Sequence, residues 1–206
     1  MVKILITLIN DHLRRENLRK FRPRSYFYVS EAGKTAFEIY KRLTFIQENP
    51  PKTRLLMKIG KMTHRRVYRH LERIKIMEAS EVPLGDDLFR GYADALIKIP
   101  DEESMVLEIK TVSTKEFNRV ARRDRPPWES YIQLQLYLHY LNKERGRILY
   151  IESNALRDYV LPLESFRAEQ RMKEFIVTKN LRVIGYTLKK FGRLREVFVK
   201  GGVMMG

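Results

Sequence analysis

At 206 residues the chain has the length of one domain, or of one domain with an appendage, and is too short for two full enzyme domains. With 44% hydrophobic and 11% aromatic residues it can pack a core, and its net charge of +16 points to polyanionic partners first and anionic membrane surfaces second. The absence of cysteine excludes disulfides, thiolate zinc sites, iron–sulfur clusters and a cysteine nucleophile together.

Ile4, Leu5, Leu8, Leu13 and Leu18 recur at helical intervals and predict an N-terminal helical segment over 1–25, broken at Pro23. Thr7 interrupts its apolar stretch, charge follows, and no run reaches the roughly 18 apolar residues of a spanning helix. The expectation is a soluble, cytoplasmic protein with no membrane segment, of viral or thermophilic origin; abundant Lys, Arg, Glu and Ile suit a thermophile. Ser25 to Ser30 reads as a short strand, and Ser30 as the cap of a helix from Glu31 to about Leu43. A loop at Asn49 to Pro51 precedes a long helix from Thr53 to about Ile76, heavily basic on one side, with Gly60 as its weak point.

From Glu78 the hydrophobic period changes to two. Leu88 to Pro100 and Met105 to Ser113 form an antiparallel hairpin turning at Pro100 to Ser104. Lys115 to Asp124 and Trp128 to Arg145 read as helices separated by Pro126 and Pro127, with Leu134, Leu138 and Leu141 on the apolar side of the second. Arg147 to Glu152 and Asp158 to Leu163 read as strands, and 164–206 as a helical segment. This order predicts a mixed α/β fold around one sheet.

Within the hairpin, Glu108 and Lys110 share one face of their strand and Ile109 turns to the other. A turn around Asp101 or Glu102 sets Asp94 beside Glu108 or Lys110, on the same face. Glu-x-Lys on a strand is commonly a solvated ion pair, but here Ala93, Ala95, Val106, Leu107 and Ile109 make both strands read as buried, where unpaired charge is costly. Two carboxylates and an ammonium so placed can hold a hard divalent cation and leave the amine to orient or activate water. Glu78 and Glu81 precede the Asp94 strand as further carboxylates.

Four motifs stand in order: Gly60 to His64 (G-x-x-x-H) on the long helix, Gly91 to Asp94 (G-Y-A-D), Glu108 to Lys110 (E-I-K), and Gln133 to Tyr137 (Q-L-Q-L-Y). Together, over about Tyr26 to Ile151, they resemble the RecB-like branch of the PD-(D/E)xK nuclease superfamily, close to the CRISPR-associated RecB-like exonucleases. The resemblance implies a restriction-endonuclease-like core, a mixed central β-sheet flanked by helices. It also implies Mg²⁺ or Mn²⁺ held by Asp94, Glu108 and the Ile109 carbonyl, with His64 completing the site. Lys110 would position the attacking water, and Gln133 and Tyr137 would contact DNA beside it. The cysteines that hold an iron–sulfur cluster in many CRISPR-associated members are absent, so no such cluster is expected and packing must join the N- and C-terminal parts.

On this reading 1–206 is a single nuclease domain, with 1–25 as an extension, 26–163 as the catalytic core and 164–206 as a C-terminal segment. It would be a metal-dependent exonuclease acting on single strands or DNA ends, with Arg65, Arg69, Arg122 and Arg123 neutralising phosphates and Tyr26, Trp128 and Tyr131 stacking on unpaired bases. With no G-x-x-x-x-G-K-[S/T] in the sequence, unwinding would need a helicase, or a partner in recombination, CRISPR adaptation or replication. The alternatives are a structure-specific endonuclease of the same superfamily and a non-catalytic nucleic-acid-binding protein.

Overall fold

The computed structural model describes residues 24–44, 51–153 and 170–204. The expected N-terminal helix and the strand at Asp158 to Leu163 lie outside the described residues. β1 (Phe27–Tyr28) leads through a 3-10 turn (Val29–Glu31) to α1 (Ala36–Thr44) and α2 (Pro51–Arg73). β2 (Met77–Gly85), β3 (Phe89–Ile97) and β4 (Met105–Ser113) follow, then α3 (Thr114–Ala121), α4 (Trp128–Tyr140), β5 (Arg145–Ser153), β6 (Met172–Thr178) and α5 (Leu181–Lys200). The result is a mixed six-stranded sheet flanked by five α-helices among the described residues.

Local chemistry explains where the expected boundaries move. The helix expected from Glu31 starts instead at Ala36, because Thr35 and Glu38 form reciprocal bonds: the Thr35 N–H donates to Glu38 Oε2 at 2.8 Å, and the Glu38 N–H to Thr35 Oγ1 at 3.3 Å. Ser30 is not its cap. Glu31 is buried outside the helix, receiving the Tyr28 N–H and the Arg24 guanidinium. The helix expected over Lys115 to Asp124 begins one residue earlier, with Ser113 accepting the Glu116 N–H, and ends at Ala121. The C-terminal segment is not helical throughout. Met172–Thr178 alternates exposed and buried positions and pairs antiparallel with β5, and only from Asn180, whose side chain caps the Arg182 and Val183 N–H groups, does a helix run to Lys200.

The sheet order is β1-β3-β4-β5-β6, with β2 also on β3. β2 follows one edge of β3 from Met77↔Ile97 to Gly85↔Arg90. The other edge is shared: β4 pairs antiparallel with Ala95, Leu96 and Ile97, whereas β1 pairs parallel with Phe89 and Arg90. Gly91 to Asp94 therefore face a split in the sheet. Two cores meet there. Ala93 belongs to the larger one, with α4 and α5, while Ala95 and Ile97 pack with Leu107, Ile109 and Val67 under α2.

Aromatic packing joins the N- and C-terminal parts. The Phe27 ring lies 5.0 Å from Phe191 and 6.3 Å from Phe198, and Phe89 lies 4.8 Å from Phe191. Helix α4 is buried on nearly all sides, from Ser130 to Leu138 apart from Tyr131, so it is a central helix and not the amphipathic one its leucines predict.

Candidate active site in the split of the sheet

The split opens a cleft of about 490 Å³, with walls from four elements: Ser30 after β1, Asp94 of β3, Glu108 and Lys110 of β4, and His64 of α2. Gly60 and His64 are one helical turn apart and so present one face of α2 to it. Gln133 and Tyr137 close it from α4. All four motifs of the sequence converge here.

The hairpin register is Ala95↔Leu107, which continued by one pair sets Asp94 opposite Glu108 and decides between the two registers the sequence allows. The ladder does not continue. Asp94 Oδ2 accepts the Ile109 N–H at 2.7 Å in place of a strand carbonyl, and Asp94 Oδ1 lies 3.3 Å from His64 Nδ1. Burial would lower the His64 pKa, but the bond to Asp94 and the charges of Asp94 and Glu108 outweigh it and raise the pKa above the ordinary histidine value.

Glu108 is 3% exposed, with Oε1 2.6 Å from Lys110 Nζ. Oε2 is buried without a hydrogen-bond partner. Burial pushes the carboxyl up, Lys110 pulls it back, and the Asp94 charge pushes it up again, leaving it well above the usual carboxylate range. Lys110 is raised as well, because the Glu108 charge overcomes the cost of burying the ammonium.

Gln133 and Tyr137 are 8% and 3% exposed. Lys110 Nζ donates to Gln133 Oε1 at 2.8 Å, and Gln133 Nε2 donates to Tyr137 Oη at 2.6 Å. A chain of bonds thus runs from Glu108 through Lys110 and Gln133 to Tyr137. The pair expected to touch DNA has its polar groups turned to the lysine and to each other, an arrangement that fixes the ammonium. No sequence period announces this, because the partner of Gln133 is 23 residues away.

The fit to a divalent cation rests on chemistry visible in the cleft. An orphaned Glu108 oxygen, the Asp94 carboxylate and the adjoining Ile109 carbonyl are hard donors of the kind Mg²⁺ and Mn²⁺ take, and Mg²⁺ is commonly held by one or two carboxylates with water and substrate oxygens completing its shell. Among the described residues no three His, Asp or Glu side chains converge as a ready-made cage. His64 faces this donor set through its Nδ1 contact with Asp94. Glu78 and Glu81 are exposed and do not line the cleft; Glu78 accepts the Ser104 hydroxyl, and Glu81 has a left-handed backbone at φ 48°.

The basic residues divide. Arg65 and Arg69 are exposed on α2 and Arg122 is exposed at the end of α3, but none lines the cleft. Arg66, in the same run, is buried at 2% exposure, so the run is not a single solvated face. Arg123 lines a neighbouring groove that includes Lys110 and Gln133. Sequence reasoning missed Tyr68, whose ring lies 6.2 Å from His64 and whose pKa burial and the Asp94 charge raise. It follows His64 by four residues, a spacing that was available as a signal.

No known protein family matches this sequence, and no curated protein does. Solved structures do match the architecture. The alkaline exonuclease LHK-Exo from Laribacter hongkongensis superposes with a TM-score of 0.61 at 13% identity, over 87% of this chain and 90% of that one. The fold is shared with known exonucleases. A phage-related exonuclease from Haemophilus somnus 129PT gives 0.51 at 12% identity, over 85% and 94% of the two chains. The protein SSO0001 gives 0.53 at 17%, over 90% and 86%. LHK-Exo has also been crystallised in complex with dAMP. Among the described residues no helix is long and apolar enough to cross a membrane.

Proposed function

We propose that this chain is a divalent-metal-dependent DNA nuclease of the RecB-like PD-(D/E)xK type, acting as an exonuclease on single strands or DNA ends. The observation that carries the reading is the buried, unpartnered Oε2 of Glu108 in a cleft beside Asp94. A carboxylate oxygen desolvated in this way and left without a donor is costly, and a cation at that point removes the cost. The fold shared with two exonucleases, and the dAMP complex of one of them, support phosphodiester chemistry.

Asp94, Glu108 and the Ile109 carbonyl would hold Mg²⁺ or Mn²⁺. When bound, such a cation supplies Lewis acidity and charge compensation for a phosphoryl group. Lys110, held between Glu108 Oε1 and Gln133 Oε1, presents a fixed ammonium that orients water and offsets the negative charge growing on phosphate oxygens. Because Gln133 and Glu108 hold it in advance, little reorganisation is needed during reaction.

Digestion of end-labelled linear and closed circular DNA, single- and double-stranded, with Mg²⁺, Mn²⁺ or EDTA tests the proposal. Linear DNA should be degraded with either cation and not in EDTA, and circles should survive. Cut circles would favour the structure-specific endonuclease, and intact DNA throughout would favour a binding protein.

A further inference from the structure

A second groove, of about 680 Å³, is continuous with the cleft, because Ser30, Lys110 and Gln133 line both. Its own walls carry Lys34, Arg42, Arg119, Arg123 and Trp128. Two of these cations have carboxylate partners: Arg119 lies 2.7 Å from Glu116 and Lys34 lies 3.8 Å from Glu129. Arg42 and Arg123 are exposed and form no close ion pair among the described residues, although the Arg42 charge reaches Glu38 one helical turn away. The sole tryptophan of the chain, Trp128, is 56% exposed and stacks on Tyr131 at 5.7 Å between ring centroids and 24° between planes.

We infer that this groove is the track of a single DNA strand running out of the cleft, with phosphates against Lys34, Arg42 and Arg123 and an unpaired base stacked on Trp128. The inference rests on the nuclease reading and extends it to the substrate's strand state. Arginines without a close ion pair beside an open channel suit a polyanionic backbone, since binding there breaks few existing ion pairs. An exposed indole backed by a second ring offers a flat surface to any base. A duplex cannot use it, because its base faces are already covered by their neighbours. Phosphate contacts and stacking read no sequence, so the groove should accept unrelated strands alike.

With one tryptophan in the chain, its fluorescence, excited where tyrosine does not absorb, reports on this groove directly. Oligo-dT added in EDTA should quench it as binding saturates. Arg42→Ala/Arg123→Ala should bind oligo-dT at least about tenfold more weakly, with the slope of log K against log salt flatter by about 1.4, since each lost single-strand phosphate contact removes about 0.7. Trp128→Ala should lose roughly tenfold in affinity for oligo-dT, with Trp128→Phe restoring most of it, and little for blunt duplex. All these positions are exposed, and circular dichroism of each variant confirms the fold. Saturable binding with unchanged fluorescence, an unchanged salt slope, or an equal loss on duplex would each overturn the inference. Hydrolysis of a small diester, bis(p-nitrophenyl) phosphate, by the unmodified protein with Mn²⁺ is measured alongside. Its absence counts against the nuclease reading, whereas the fluorescence result in EDTA decides the groove by itself.

Discussion

Asp94 accepts the backbone N–H of Ile109 at 2.7 Å, doing with a side chain what a strand carbonyl does elsewhere in the sheet. The carboxylate is both a clasp across the split and a wall of the cleft. Substitutions separate the two roles. Asp94→Asn keeps an oxygen for Ile109 and should melt near the unmodified protein, while Asp94→Ala leaves the N–H without its acceptor and should cost about 1–3 kcal/mol. Cleavage should fall on the order of a hundredfold or more in both. Thermal melts and DNA digestion in Mg²⁺ check this, and full activity of the Asn variant would contradict the assignment.

Lys110 and Gln133 should respond differently from surface arginines. Lys110→Ala is expected to lower turnover on the order of a hundredfold, with DNA affinity changed little, because one cation among many carries a small share of binding. Gln133→Ala should lose about 10- to 100-fold in turnover by freeing the ammonium, and Gln133→Glu should keep it in place. Single-turnover kinetics beside binding in EDTA separates the effects.

Stability should depend on pH through Glu108. Its carboxyl binds a proton more tightly folded than unfolded, so protonation favours the fold; that contribution is complete at acid pH and is lost as pH rises through about 7. In EDTA, the melting temperature of the unmodified protein relative to Glu108→Gln should fall between about pH 5 and about pH 8. Mn²⁺ must displace the proton, so its stabilisation should grow over the same range. Melting curves across that range, with and without Mn²⁺, read both trends.

Two glycines should respond with opposite signs. A Cβ at Gly33 would come within 2.6 Å of the Glu129 Cα, so Gly33→Ala must push the turn after β1 off α4, at about 1–3 kcal/mol. A Cβ at Gly60 meets nothing within 4 Å, and Gly60→Ala should stabilise α2 by up to about 1 kcal/mol. Denaturant midpoints measure both.

The hairpin and its carboxylates were legible because period-two patterning and a short turn fix which residues face each other. Helix α2 was legible for the same kind of reason, a sustained apolar stripe. β6 was not: Met172 to Thr178 is an edge strand with Lys173 and Glu174 in it, and only its pairing with β5 sets its conformation. Glu31 was misplaced because a carboxylate near a helix start looks the same whether it serves the helix dipole or, as here, a half-buried arginine. The Lys110–Gln133 bond and the burial of Arg66 depend on tertiary contacts that no local pattern encodes.

Two residues beyond Gln133 on α4, Gln135 is wholly buried, its Nε2 donating to the Thr178 carbonyl and its Oε1 accepting the Asn180 N–H. At 3.6 residues per turn the two glutamines point to nearly opposite sides of the helix. The helix is therefore keyed like a shaft: one amide engages the lysine of the cleft and the other engages the corner where β6 becomes α5. Changes among its leucines can slide it or lift it from the sheet, but turning it about its axis would disengage both keys at once, so the aim of Lys110 is tied to a corner of the chain far along the sequence.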